Sequence, residues 1–237
     1  MFQGIKYFFN GSRYLFKPGI KRFVIIPLLI NICLFSVGLW LGLQWFDKLL
    51  AEVLPSWLSW AEYILLPLFT LSYFLIVFYL FALLANVIAA PFNGLLAEKV
   101  EQLIQQKNID DTTQKLLPTI IPSISSELSK LVYFAFRSLP ILLLFLIPGV
   151  NLIAPAVWFI FTSWMLSLEY LDYPLGNHNI LFKQTRLLVK QQRTTCLSFG
   201  AVISAFTLIP FVNFFVMPIA VVGATLLYVD KFSDEHN

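Results

Sequence analysis

The residues best suited to chemistry lie in one short turn, Pro18-Gly19-Ile20-Lys21-Arg22-Phe23. Two adjacent cations and a glycine sit where a basic arm meets the uncharged stretch from Phe23 to Phe46. A helix that starts here offers unpaired backbone N–H groups and the positive end of its dipole. Donors of that kind beside Lys21 and Arg22 can hold an oxyanion. The same two cations can equally anchor a helix among lipid headgroups, and the turn alone leaves both roles open.

Other polar residues stand in apolar surroundings. In the stretch 86–98, Asn86, Asn93 and Glu98 can line an aqueous entrance, or cap helices and bond between them. Glu169-Tyr170-Leu171-Asp172-Tyr173-Pro174-Leu175-Gly176-Asn177-His178 is expected to form a turn between two apolar stretches. Lys183, Arg186, Lys190 and Arg193 follow at spacings of 3, 4 and 3, a cationic stripe on a helix. Such a stripe suits contact with lipid phosphate, and alternatively a vestibule that gathers anions. There is no glycine-rich phosphate loop carrying a lysine, and no cluster with metal-ligand spacing. His178 and His236 look isolated, and no nucleophile is paired with a base. Enzyme chemistry, a cofactor, a metal and an ATP-driven pump are therefore not expected, which leaves passive or ion-coupled transport or a non-catalytic membrane role. Cys33 and Cys196 both fall in apolar runs, so no disulfide framework follows.

The elements that must position these residues belong to a membrane. The 237 residues are 59% hydrophobic and 12% charged, about half the charged share of a soluble domain. No basic patch points to nucleic acid. The first apolar run is too long for a cleavable signal, and no small-residue cleavage site follows it. The whole of 1–237 is expected to form a single membrane domain of an all-α integral membrane protein. Residues 1–17 predict an interfacial helix, with Gln3, Lys6, Asn10, Arg13 and Lys17 facing up and aromatic residues facing down, loosened at Gly11. Residues 23–46 form the first span, with Gly38 and Gly42 able to allow a close helix approach. The second span is expected at 66–88, ending at Pro91. A cytoplasmic helical pair over 92–137 follows, with Leu95, Leu96, Val100, Leu103 and Ile104 on its apolar side, Glu98, Glu101, Gln102 and Gln105 on its polar side, and a return helix starting near Ser123.

Two further apolar stretches, 138–168 and 194–229, each carry Leu-Ile-Pro-x-Val-Asn, at Leu146–Asn151 and Leu208–Asn213. Proline breaks the helix, and the asparagines can satisfy the freed backbone groups. The arms around the second break are about 16 residues, or ~24 Å, slightly short of a crossing. Both stretches are therefore expected to be Pro-broken, half-penetrating hairpins that enter and leave on one side. Irregular backbone at membrane depth marks a wet, protein-lined path, which makes Asn151 and Asn213 pathway candidates together with Asn86, Asn93 and Glu98. With two spans and two hairpins, 15 of the 16 Lys and Arg residues fall on one side, so both termini are expected to be cytoplasmic.

The chain resembles the CysZ family of bacterial sulfate permeases along nearly its whole length. The resemblance is carried by Pro18–Val24, by Ala89-Ala90-Pro91-Phe92-Asn93-Gly94-Leu95-Leu96-Ala97-Glu98, by the Pro148 break, by Asp172-Tyr173-Pro174 with Asn177-His178, and by Leu208-Ile209-Pro210. It implies an inner-membrane protein that brings sulfate into the cytoplasm for cysteine synthesis, built from two long spans and half-penetrating helices and assembled as a homo-oligomer. It also implies a sulfate site at Gly19, Ile20, Lys21 and Arg22, with sulfite and related oxyanions as possible cargo. The family commonly has arginine where Lys21 stands here. Lysine keeps the charge and loses the two-pronged guanidinium contact, which favours Arg22 as the main ligand. A membrane scaffold or regulator that binds anionic lipid through the basic stripe is the alternative.

Overall fold

The computed structural model describes residues 3–53, 62–105 and 116–233, and within some of its helices the backbone but not every side chain. All regular structure among the described residues is helical, as an all-α chain requires: α1 (Gln3–Leu15), α2 (Arg22–Val53), α3 (Glu62–Gln105), α4 (Leu116–Leu144), α5 (Ala154–Asn177), α6 (Phe182–Gln191), α7 (Arg193–Thr207) and α8 (Pro210–Lys231), with a 3-10 turn at Val150–Leu152 before α5. The chain divides into two compact units, Met1–Lys21 with Asn93–Asn237, and Arg22–Phe92.

The second unit holds α2 and most of α3. At 32 and 44 residues these helices measure about 48 and 66 Å. Ile25, Leu29 and Ile32 on α2, and Leu68, Leu71 and Leu75 on α3, face outward. Among the described residues no helix is long and apolar enough to cross a membrane. The stretches 23–46 and 66–88 expected to span lie in α2 and α3, where many side chains, that of Asn86 among them, and the surroundings of Gly42 are outside the described residues. The backbone of α3 runs unbroken through Pro91, where an exit was expected. A proline inside a long helix removes one hydrogen bond without ending the helix if its neighbours hold it.

The first unit is built on close helix contacts. On α1 the buried stripe is Gly4, Phe8, Gly11 and Leu15, at spacings of 4, 3 and 4. It packs on α7 and α8. Phe8 and Leu15, expected on the side away from the cations, belong to this stripe, while Phe9 and Phe16 of the same side are exposed. Gly11 does not loosen the helix but brings it against Gly223, where an added Cβ would lie 2.9 Å from the Gly223 nitrogen. Gly200 of α7 likewise meets Ser163 of α5. Small residues at such crossings let backbones approach and gain dispersion contacts without relying on water exclusion.

The two proline motifs do break the chain, each in its own way. In the second, only Leu208 and Ile209 separate α7 from α8, and Pro210 is the first residue of α8. In the first, Pro148 lies in a turn with Gly149 at φ +84°, and α5 starts at Ala154-Pro155. Proline suits a helix start because the N–H it lacks has no partner there. Both asparagines are exposed, and it is their backbone N–H groups that close the breaks, Asn151 to the Ile147 carbonyl at 3.0 Å and Asn213 to the Ile209 carbonyl at 2.9 Å. Leu146, Leu152 and Leu208 at the breaks are 77%, 84% and 77% exposed. Element ends also shift from expectation. α4 begins at Leu116 rather than near Ser123, with Pro118 in its first turn. α5 continues through Pro174 to Asn177, so the expected turn at 169–178 is mostly helix.

Candidate functional site

The expected oxyanion turn is held from beneath. Ile20 is fully buried, while Gly19, Lys21 and Arg22 are exposed. Gly19 sits at φ +88°, a conformation that glycine reaches without strain. The Ile20 N–H donates to the Lys17 carbonyl at 3.3 Å, so that amide belongs to the turn. Lys21 closes the first unit and Arg22 opens α2 in the second. The free donors at this point are the first-turn N–H groups of α2, and that turn contains no acidic residue to fill them. The Arg22 guanidinium lies over the Phe23 ring at 4.9 Å.

The candidate pathway residues separate into two places. Asn93 is buried at the start of the first unit's share of α3. Its side-chain amide donates to the Tyr173 hydroxyl at 3.3 Å and approaches Met217 Sδ at 3.4 Å. Glu98 is half-buried and accepts from Gln102 one turn on, at 3.3 Å. Asn151 and Asn213 lie at the breaks, and Asn213 is one helical turn before Met217 on the same side of α8. The side chain of Asn86 is outside the described residues.

What the sequence did not reveal is a polar latch that joins α3, α5 and α8. Asn177 donates to the Gly94 carbonyl at 3.0 Å. His178 Nε2 meets both Glu101 carboxylate oxygens at 2.9 and 3.0 Å, and its ring stacks on Tyr228 with centroids 5.1 Å apart. Glu101 is 3% exposed, although the pattern 92–105 placed it on the polar side; Leu95 and Leu103, expected inside, face outward. A carboxylate can be buried only where partners offset its lost hydration, and His178, together with the Gln105 amide that donates at 3.4 Å, does so here. The hydrogen bond to Glu101 holds the His178 imidazole above its ordinary range, against the opposing effect of burial.

The backbone delivers His178 to this position. Asn179 adopts φ 59°, its N–H bonds the Gly176 carbonyl, and the Ile180 N–H reaches the Leu175 carbonyl at 3.1 Å. That is the two-bond helix end in which a left-handed residue satisfies the last carbonyls. Nearby, Lys130 of α4 is buried between Asp172 at 2.8 Å and Glu169 at 3.3 Å, and Thr185 of α6 donates to Asp172. Tyr7 of α1 donates to Asp230 of α8, which holds that carboxyl below its usual range. The only advance signal for the latch was that Gly94, Asn177 and His178 fall in stretches that carry the family resemblance; Glu101 and Tyr228 lie outside them. Glu101 and His178 are 77 residues apart, and no local periodicity links them.

Apolar side chains left facing outward, polar groups gathered in a few paired clusters and helices crossing at glycine are the make-up of a helical membrane protein. The chain belongs to the family described as Sulfate transporter CysZ/Etoposide-induced protein 2.4, which it matches over residues 7–218. A relative from Pectobacterium atrosepticum, named Sulfate transporter CysZ, is 43% identical over 235 residues, covering 97% of this chain and 85% of the relative.

Proposed function

We propose that this chain carries sulfate across the bacterial inner membrane into the cytoplasm, where it supplies cysteine synthesis. The observation that carries the reading is membership of the sulfate transporter family along most of the chain, with a named relative at 43% identity over 97% of it.

α2 and α3 cross the bilayer, and the α4–α5 and α7–α8 pairs dip in from the cytoplasmic side. α7, at 15 residues, is about 22 Å long, too short to cross a ~30 Å hydrocarbon core. The exposed leucines at the breaks then meet lipid or a second copy in a homo-oligomer. The one-sided distribution of Lys and Arg keeps both termini cytoplasmic. Sulfate rests at the Gly19-Ile20-Lys21-Arg22 turn, held by the Arg22 guanidinium and the first-turn amides of α2, with Lys21 adding charge. A dianion is costly to dehydrate, so donors and positive charge must be offered together. Asn93 and Asn213, near Met217, line part of the route.

The test is radiolabelled sulfate uptake into proteoliposomes, with sulfite and thiosulfate as competitors. Flux that exceeds empty vesicles and is blocked by unlabelled sulfate is expected. Folded, monodisperse protein that gives no flux above empty vesicles would overturn the transport reading in favour of a lipid-binding scaffold.

A further inference from the structure

α4 and α6 enclose a groove of about 660 Å³ in the first unit. Its wall is apolar, with Leu128, Val132 and Phe136 from α4 and Leu187 from α6. Its cationic side is Lys183 and Arg186, one turn of α6 apart. The Arg186 guanidinium lies 4.9 Å above the Tyr133 ring, and Arg137 approaches the same ring at 5.5 Å. Two guanidinium groups on one aromatic ring repel each other unless an anion joins them. Arg186 Nε is buried and has no hydrogen-bond partner among the described residues. A buried charged donor left unpaired costs well over a neutral one, so this atom points to a missing acceptor.

The groove opens onto a long apolar stripe. Leu128, Val132, Phe136, Leu139, Leu143 and Leu146 follow at spacings of 4, 4, 3, 4 and 3, and all are about half exposed or more. From Leu128 to Leu143 the stripe runs about 22 Å along α4, and Leu146 continues it in the turn beyond.

We propose that this groove binds a phospholipid with an anionic headgroup, its phosphate accepted by Arg186 and Lys183 and an acyl chain lying along the α4 stripe. A small free oxyanion would satisfy the cations and leave the apolar wall uncovered. A second copy of the chain would have to bring an acidic surface, whereas among the described residues the carboxylates of Glu169 and Asp230 are already paired with Lys130 and with Tyr7 and Lys231. The proposal rests on the membrane reading but not on sulfate flux, so either can fail alone.

The test is native mass spectrometry of delipidated full-length protein titrated with phosphatidylglycerol or phosphatidylcholine. Wild type is expected to bind phosphatidylglycerol about tenfold more tightly. Arg186→Gln is expected to lose about tenfold, the usual weight of one charge-assisted hydrogen bond. Lys99→Gln, on α3 and outside the groove, leaves binding unchanged. Phe136→Ser, at a position 78% exposed, weakens lipid binding without touching a charge. Arg186→Gln or Phe136→Ser protein that binds as wild type does would overturn the proposal. So would displacement of the lipid by millimolar inorganic phosphate, which identifies a plain oxyanion site. A variant that changes oligomer mass while lipid binding stays constant would identify a contact between copies instead.

Discussion

Replacing His178 by alanine tests the latch most directly. It leaves Glu101, at 3% side-chain exposure, without its imidazole partner. Breaking a fully buried ion pair by removing one member costs about 3–5 kcal/mol. Here the imidazole is 37% exposed, so water reaches the pair and screens it, and about 1–2 kcal/mol is the better figure. The lost stacking on Tyr228 adds about 1 kcal/mol. A total near 2–3 kcal/mol corresponds to a fall in Tm of roughly 4–12 °C for a chain of this size. Thermal unfolding of detergent-purified protein, followed by tryptophan fluorescence, measures it. The sign with pH follows from the raised pKa of His178. The charged pair stabilises fully below the ordinary histidine pKa of about 6.5 and fades as pH rises through the raised value. The gap between wild type and His178→Ala should therefore be widest near pH 6 and shrink by pH 9, and in a Glu101→Gln background that pH dependence should disappear. A gap that is absent at pH 6, or that grows with pH, refutes the assignment of Glu101 and His178 as a stabilising pair.

Two further outcomes can be checked with the same preparations. Arg22→Ala should weaken sulfate binding about tenfold or more by equilibrium binding, with unchanged elution, and Lys21→Ala should weaken it less; normal affinity in Arg22→Ala removes the turn as the site. Gly200→Ala should cost at least about 2 kcal/mol or prevent folding, because its Cβ would stand 1.7 Å from the Ser163 carbonyl oxygen, whereas Gly94→Ala meets only Asn177 Oδ1 at 3.6 Å and should be tolerated.

Local chemistry made some of this fold legible and hid the rest. The breaks at 148 and 210 show in the sequence because proline acts on its own backbone wherever it sits. The same reasoning misplaced boundaries at Pro91 and Pro174, where the helix continues past the missing bond. The packing stripe of α1 was legible only in part. Its cations recur with a clean helical period, but its packing face includes Gly4 and Gly11, and a glycine at a close crossing leaves no mark on a hydrophobicity pattern. Glu101 illustrates the limit for sites. A charge on a helix reads as solvent-facing until its partner is known, and that partner is 77 residues away at the end of another helix. The family resemblance reaches part of the way because it compares whole strings: its 89–98 and 172–178 stretches, unconnected by any pattern, are held together by Asn93 with Tyr173 and Asn177 with Gly94, while Glu101 lies outside both.

The two copies of Leu-Ile-Pro-x-Val-Asn show how one residue redirects a shared motif. The variable position is Gly149 in the first and Phe211 in the second. Glycine at φ +84° lets the first copy turn and add a short 3-10 segment before α5 starts, while the second copy restarts as α8 at the proline itself. Nothing lies within 4 Å of a Cβ added at Gly149, so alanine there meets no steric obstacle and feels only its own backbone. The expected cost is that of holding an L-residue in this region, about 1–3 kcal/mol. Gly176, late in α5, also has open space for a Cβ and no positive φ. Gly176→Ala should therefore be neutral or slightly stabilising, as glycine gives way to a better helix former. Paired melting curves decide the matter: equal Tm for the two variants would mean that the first break does not depend on the left-handed turn, and that the difference between the copies has another origin.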